Sequence, residues 1–179
     1  MNTLTLRPYQ VEAVQNLRIE LSQGMKRIML CSPTGSGKTE IGMEIVRGAI
    51  AKKKRVAFLC NRINLVSQTS RRFLRAGIQH GIIQGSNTSK IYEPVLVVSI
   101  QTAAKRGLPD DLDLILIDEA HGVAGSKAYR EVMEMMRGKP VIGLSATPYS
   151  KGLGKHYDSL GGALFESMVT AARIQDLID

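Results

Sequence analysis

The chain of 179 residues contains no tryptophan, and aromatic residues of all kinds make up only 4% of it. Its core must therefore be filled by Ile, Leu, Val, Met and Ala. Cysteine is scarce as well. Cys31 and Cys60 each close a short apolar run, and His80, His121 and His156 are scattered. Neither a disulfide framework nor a zinc spacing can be built from these. The two thiols read as small core residues in a reducing, cytoplasmic setting. No apolar run approaches the length of a membrane span, and the N-terminus is too polar for a secretory leader. Low-complexity linkers and internal repeats are absent too. One long stretch also lacks acid: between Ile45 and Tyr92 stand ten basic residues (Arg47, Lys52, Lys53, Lys54, Arg55, Arg62, Arg71, Arg72, Arg75 and Lys90) without a single Asp or Glu. The rest of the chain carries fourteen basic and sixteen acidic residues, so this stretch supplies the whole excess behind the net charge of +8. Such an imbalance suits a polyanion-binding face, and equally a solvated basic surface.

What is present is an ordinary globular composition, 44% hydrophobic and 22% charged, in one domain over 1–179 that is long enough to bury a core. The stretch that organises it is Ser32-Pro33-Thr34-Gly35-Ser36-Gly37-Lys38-Thr39, between the apolar run Ile28-Met29-Leu30-Cys31 and a helical pattern starting at Glu40. Strand, glycine-rich turn and helix form the context of a phosphate-binding loop. Turning through Gly35 and Gly37 aims successive backbone N–H groups at one phosphate, and the new helix adds its free donors and positive dipole end. Lys38 supplies a point charge and Thr39 a hydroxyl for magnesium. Ser32 stands where this pattern usually has Gly or Ala.

Around the loop, strands and helices alternate, which predicts a three-layer α/β fold, a parallel sheet with flanking helices. Val11, Val14, Leu17 and Leu21 recur at helical spacing after Pro8, and Gly24 can end that helix. Ile41, Ile45, Val46 and Ala49 stripe the helix after the loop. Asn61 is placed to cap a helix whose buried side is Leu65, Val66, Thr69 and Phe73. Ala128, Val132, Met135 and Met136 mark another. Strands are expected at 28–31, 56–60, 81–85, 95–99, 114–117 and 141–144, and an exposed loop at 86–90. Asp118-Glu119-Ala120-His121 follows the 114–117 strand, and ligands bind at the carboxyl ends of such strands. Asp118 can hold the magnesium that Thr39 faces, and Glu119 can orient and deprotonate a water.

Taken together, the loop at 34–39, Asp-Glu-Ala-His at 118–121 and Ser145-Ala-Thr-Pro148 resemble a superfamily-2 helicase or translocase. The resemblance extends in order along nearly the whole chain. Leu6-Arg-Pro-Tyr-Gln10 is similar to that family's Q motif, which implies that Gln10 reads the adenine edge and Arg7 flanks the base. Asn61-Arg-Ile-Asn-Leu-Val-Ser-Gln68 and Val98-Ser-Ile-Gln-Thr102 resemble its two nucleic-acid motifs, implying backbone contacts from Arg62, Ser99, Gln101 and Thr102. Ser145 and Thr147, with His121, would couple the two sites. The implied fold is a RecA-like P-loop NTPase domain. Implied cofactors are ATP and Mg²⁺, with Lys38, Asp118 and Glu119 catalytic and Pro33, Thr34, Gly35, Ser36, Gly37, Lys38 and Thr39 around the phosphates. The implied partner is nucleic acid, gripped through phosphate and sugar, and the basic stretch then reads as part of that grip.

A start at Leu-Arg-Pro-Tyr-Gln resembles the branch of restriction-enzyme motor subunits, phage recombination helicases and RadD-like repair helicases, which favours DNA over RNA and a bacterial or phage setting. The alternatives are an RNA helicase of the same superfamily, a nucleic-acid-binding module switched by ATP, and a small-molecule P-loop kinase. Nothing after Pro148 resembles the motifs of a second RecA-like domain, and 162–178 is similar to the exit from the first. The second domain is therefore expected in cis or in trans, and the chain alone is expected to hydrolyse ATP slowly without separating strands.

Overall fold

In the computed structural model, residues 6–147 and 164–171 are described, with backbone alone at 63, 123 and 124. Helix α1 (Pro8–Ser22) starts where Pro8 has no N–H to lose. Strand β1 (Arg27–Cys31) leads through the glycine-rich turn into α2 (Lys38–Ala51), and β2 (Val56–Cys60) leads into α3 (Ile63–Arg75). Then come β3 (Gly81–Gln84), β4 (Asn87–Ser89), β5 (Val95–Ser99), α4 (Ile100–Arg106) and β6 (Leu114–Ile117). A 3₁₀ turn (Ala120–Gly125), α5 (Lys127–Met135), β7 (Val141–Ser145) and β8 (Ser167–Thr170) follow.

The strands form one sheet in the order β4-β3-β5-β2-β6-β7-β1-β8. Every pairing is parallel except β3 with β4. Parallel strands covered on both faces must be apolar throughout, and β2, β5, β6 and β7 are buried at every position. Alternate residues serve opposite faces. Val56, Phe58 and Cys60 join the core beneath α1, α2 and α3. Ala57 and Leu59 join a second core beneath α4 and α5. The expected three layers are present.

Phe58 sits at the centre of the first core, 1% exposed, with its ring 5.3 Å from that of Phe73 in an edge-on pair. Helix α2 reaches the same ring because position 42 is glycine: a Cβ there would lie 3.1 Å from Phe58 and 3.2 Å from Leu144. This close approach fixes where α2 begins, and so where the phosphate loop ends.

Several expectations need correction. Val11 is 40% exposed, and the buried face of α1 is Gln10, Ala13, Val14 and Leu17. Met135 faces solvent while Met133 and Met136 are buried, because the stripe of α5 runs through Tyr129, Val132 and Met133. Asn61 does not cap α3. Arg62 holds the N-cap position and no side chain caps the helix. The 86–90 stretch contains β4, an exposed hairpin strand. β8 was not foreseen. It is an edge strand beside β1 with only Val169 buried, so it lacks the apolar run that marks an inner strand. Pro148 and most of 162–178 lie outside the described residues.

The ten basic residues do not share one face either. Residues 52–55 lie at the start of β2, where Lys54 pairs with Asp113 at 2.8 Å and Arg55 with Asp111. Arg62 lies beyond the opposite end of the same strand, about 16 Å away at the usual rise. Arg47 donates to the Ala76 carbonyl at 2.9 Å.

Truncating Phe58→Ala should lower unfolding free energy by about 3–5 kcal/mol in urea denaturation. A loss below about 1 kcal/mol would contradict the central place given to this ring.

Candidate functional site

The carboxyl ends of β1, β7 and β6 lie side by side. The phosphate loop follows β1 and the acid pair follows β6, with one strand between them. β7 fills that gap and ends at Ser145, which serves both neighbours. Its carbonyl accepts from the Ser32 N–H at 2.9 Å. Its hydroxyl lies 3.3 Å from His121 Nδ1 and accepts from the Thr147 N–H at 3.1 Å.

Loop geometry follows from a few bonds. The Ser32 and Ser36 hydroxyls bond each other, and Ser36 Oγ donates to the Pro33 carbonyl. The Ser36 carbonyl receives two further donors, Gln10 Nε2 at 2.8 Å and the Tyr9 hydroxyl at 3.0 Å. A planar trans peptide then turns the Gly37 N–H the other way, toward the cradle. Gln10 Oε1 accepts from the Arg7 N–H at 2.8 Å, so both polar ends of this buried side chain are occupied. Arg7 itself is exposed at the N-cap of α1. Gly37 has φ +82°, and a Cβ there would meet Gln10 Nε2 at 2.3 Å. Only glycine fits. Helix α2 therefore begins with no side-chain cap, its first N–H groups open.

A pocket of about 350 Å³ gathers Gly35, Lys38 and Thr39 with Asp118 and Glu119. Burial holds the Asp118 carboxyl above its ordinary range and the Glu119 charge adds to this, while Lys38 and Arg72 pull the other way. Asp118 Oδ1 accepts from the Glu119 N–H at 3.0 Å. Glu119 stands at φ +52°, a strained setting for a side chain with a Cβ, of order 1–3 kcal/mol. Its Oε2 lies 3.3 Å from His121 Nδ1. A larger cavity of about 540 Å³ opens at the other end of the sheet between α1 and α2, with an apolar floor of Val14, Leu17 and Ile45. No phosphate-loop or acid-pair residue lines it.

Beyond β6, the ends of β2 and β5 carry a second groove. Asn61, Arg62 and Asn64 form one wall, and Ser99, Gln101 and Thr102 another. Gln101 Nε2 donates to the Asn61 carbonyl at 2.7 Å, and its Oε1 accepts from Ser99 Oγ at 2.9 Å. Thr102 Oγ1 accepts from the Gly85 N–H at 2.8 Å. Like α2, helices α3 and α4 start here without side-chain caps. Open helix N-termini and hydroxyls suit oxyanions of a phosphate chain.

Three residues near these sites stand outside the site residues expected from the sequence. Arg72 Nη1 donates to Thr39 Oγ1 at 2.7 Å, and Gln68 lines the same pocket. With Leu65 and Thr69 they lie at helical spacing on one face of α3. Tyr129 is buried near the acid pair, and its hydroxyl and Asn61 Oδ1 both lack a hydrogen-bond partner of good geometry. Burial pushes the Tyr129 phenol up, the Asp118 charge adding to it. The cysteines are inert: both are free and buried, and burial pushes Cys60 up to about 12.

Residues 3–150 match the family model described as Type III restriction enzyme, res subunit. The chain belongs to this family. Among curated relatives of this res-subunit domain, the Type I restriction enzyme EcoAI endonuclease subunit of Escherichia coli is 34% identical over 79% of the chain and 19% of its own length. The DNA 3′-5′ translocase XPB2 of Sulfurisphaera tokodaii is 30% identical over 86% of the chain and 33% of its length. The chain thus spans between a fifth and a third of these relatives. The UvsW helicase of bacteriophage T4 superposes with a TM-score of 0.71 over 93% of the chain and 60% of its own, at 19% identity. That likeness is one of fold, and the res-subunit domain is RecA-like, the N-terminal domain of a superfamily-2 helicase core.

Gly37→Ala should cost about 2–3 kcal/mol in urea denaturation, from backbone strain plus the collision with Gln10. Gly24→Ala, where φ is +93° but nothing lies within 4 Å, should cost only the strain. Equal losses would show that Gln10 does not pin the loop.

Proposed function

We propose that this domain binds ATP with magnesium and, in a motor completed by a second RecA-like domain, couples hydrolysis to movement along the phosphate backbone of DNA. One observation carries the reading: β7 joins the phosphate loop to His121, beside the acid pair, through Ser145, while the polar groove at β2 and β5 lies at the same end of the same sheet.

The loop N–H groups and the open start of α2 would hold the triphosphate, with Lys38 neutralising its β and γ oxygens. Magnesium would be held by Thr39 and Asp118. The donor set suits it, for magnesium takes hard oxygen ligands, few from protein and the rest from phosphate and water. Among the described residues no group of three or more His, Cys, Asp or Glu could hold a metal alone. When bound, the ion draws negative charge off the phosphates. Glu119, pre-set at positive φ, would orient the attacking water and take its proton. His121, which neighbours Glu119, would pass that change to Ser145, whose hydroxyl lies 3.3 Å from its Nδ1. Gln10 reads adenine only if it shares or gives up its bond to Ser36. Charge on the transferred phosphoryl group would be met by arginine from the second domain, a contribution of order 10³–10⁵ in rate in other phosphoryl-transfer enzymes.

DNA is favoured because the relatives named above include a restriction enzyme subunit and a DNA translocase. A relative at 28% identity, from Methanocaldococcus jannaschii, is named as a putative ATP-dependent RNA helicase, so RNA is the alternative. Among the described residues no helix is long and apolar enough to cross a membrane.

In the full-length protein, Lys38→Ala should abolish nucleotide binding. Glu119→Gln should keep binding within about threefold while turnover falls at least 10²-fold, measured by fluorescent-nucleotide titration and phosphate release. Normal hydrolysis by Glu119→Gln would remove Glu119 as the base. DNA should stimulate wild-type turnover more than RNA, and the reverse order would select the RNA reading. Affinity for a single-stranded oligonucleotide should fall steeply from 50 to 200 mM salt, and Arg62→Ala should flatten the slope by about one. A flat wild-type response would exclude backbone recognition.

A further inference from the structure

Arg72 is an arginine inside the phosphate pocket, and none of the resembled motifs gives it a task. It projects from the last turn of α3 and donates to Thr39 Oγ1 at 2.7 Å. Around it stand Lys38 and Glu40 from α2, Gln68 and Thr69 from its own helix, and Asp118 and Glu119 from beyond β6. A guanidinium has five donors and no acceptor, and its planar fork matches phosphate oxygens better than it matches one hydroxyl. Bonded to Thr39 it uses one donor, and it takes a lone pair of the oxygen that the proposed function assigns to magnesium. A second cation on the same oxygen repels the guanidinium, so loading that site favours release of Arg72. Within its reach, the charged groups that accept from a guanidinium are then the carboxylates of Glu40, Asp118 and Glu119 and the incoming phosphate chain. Asp118 already accepts from the Glu119 N–H, and the Glu119 carboxylate lies 3.3 Å from His121 Nδ1. The phosphate chain carries the most charge, and its oxygens match the guanidinium fork.

We propose that Arg72 is a phosphate-binding residue of the nucleotide site, exchanging Thr39 for a nucleotide phosphate oxygen when the site fills. The inference rests on the reading of this pocket as a nucleotide site. It deepens that reading by making α3 part of the site. The helix begins at Arg62 in the polar groove and reaches Arg72 in the phosphate pocket, about 15 Å along one rigid element. A move of Arg72 from Thr39 to phosphate shifts or tightens α3, and the open N-terminus at Arg62 moves with it. By linkage, nucleic acid in the groove changes nucleotide affinity by the same factor.

The test uses the full-length protein, a fluorescent ADP analogue and a labelled single-stranded oligodeoxynucleotide. Arg72 is exposed, so Arg72→Ala should melt within a few degrees of wild type. It should bind the ADP analogue about tenfold more weakly, and Arg72→Lys, keeping a point charge but not the fork, should fall between. The nucleotide-induced change in oligonucleotide affinity should shrink toward one in Arg72→Ala. Wild-type or tighter ADP affinity in Arg72→Ala would overturn the proposal and leave Arg72 as a plug. Lost ADP affinity with unchanged coupling would overturn the role of α3 as the link. Failure of the wild type to bind the analogue, or normal binding by Lys38→Ala, would instead sink the nucleotide-site reading itself.

Discussion

The structure depends on a single spacing: one strand, β7, separates the phosphate loop from the acid pair. Backbone pairing sets that spacing. β1 pairs with β7 up to Cys31 and Ser145, and β6 with β7 up to Ile117 and Gly143, so the acid pair leaves the sheet two residues before the loop does. Parallel strands about 4.8 Å apart leave nearly 10 Å between the outer two, a gap wide enough for a phosphate group and its counter-charges. Ser145 occupies the middle and bonds to both sides. No side chain could correct a slip of one residue in this register, because it would also turn every core residue to the wrong face.

Placing groups of like charge at that gap has a cost, and the local structure shows how it is met. Asp118 is half-buried beside Glu119, and Lys38 and Arg72 offset part of the penalty. Glu119 occupies a left-handed conformation that helices and strands avoid, held by the Asp118 side chain on its N–H and by His121 near its carboxylate. The free energy behind these arrangements comes from two continuous apolar cores on either face of the sheet. Strain at the rim is tolerated because the centre is over-determined.

Much of this was readable in the residues. The loop at 32–39, the Asp-Glu-Ala-His stretch at 118–121 and the inner strands announced themselves, since a parallel strand is a continuous apolar run and a phosphate loop a fixed pattern of glycines. Pro8 opens α1 as local backbone chemistry requires. Where several apolar residues competed for one helix face, spacing alone chose wrongly: Val11 and Met135 are solvent-facing although they fit the period. β8 and β4 were missed because edge strands bury too little to carry a pattern. The basic stretch looked like one surface because charge was counted along the chain. A five-residue strand sends Lys54 and Arg62 to opposite ends of the domain.

What the residue order determined by itself is local: which segments are strands, where glycine must turn the chain, and which side chains bring phosphate, proton and hydroxyl chemistry. These rest on interactions within a few residues, so a linear pattern records them. Only the tertiary structure decided which of those segments meet. It placed Ser145 between two loops far from it in sequence, carried Gln10 under the Ser36 carbonyl, and brought Arg72 onto Thr39. The reason is that strand order and helix packing are settled by burying apolar area over the whole sheet, a sum to which no short stretch of sequence holds the answer.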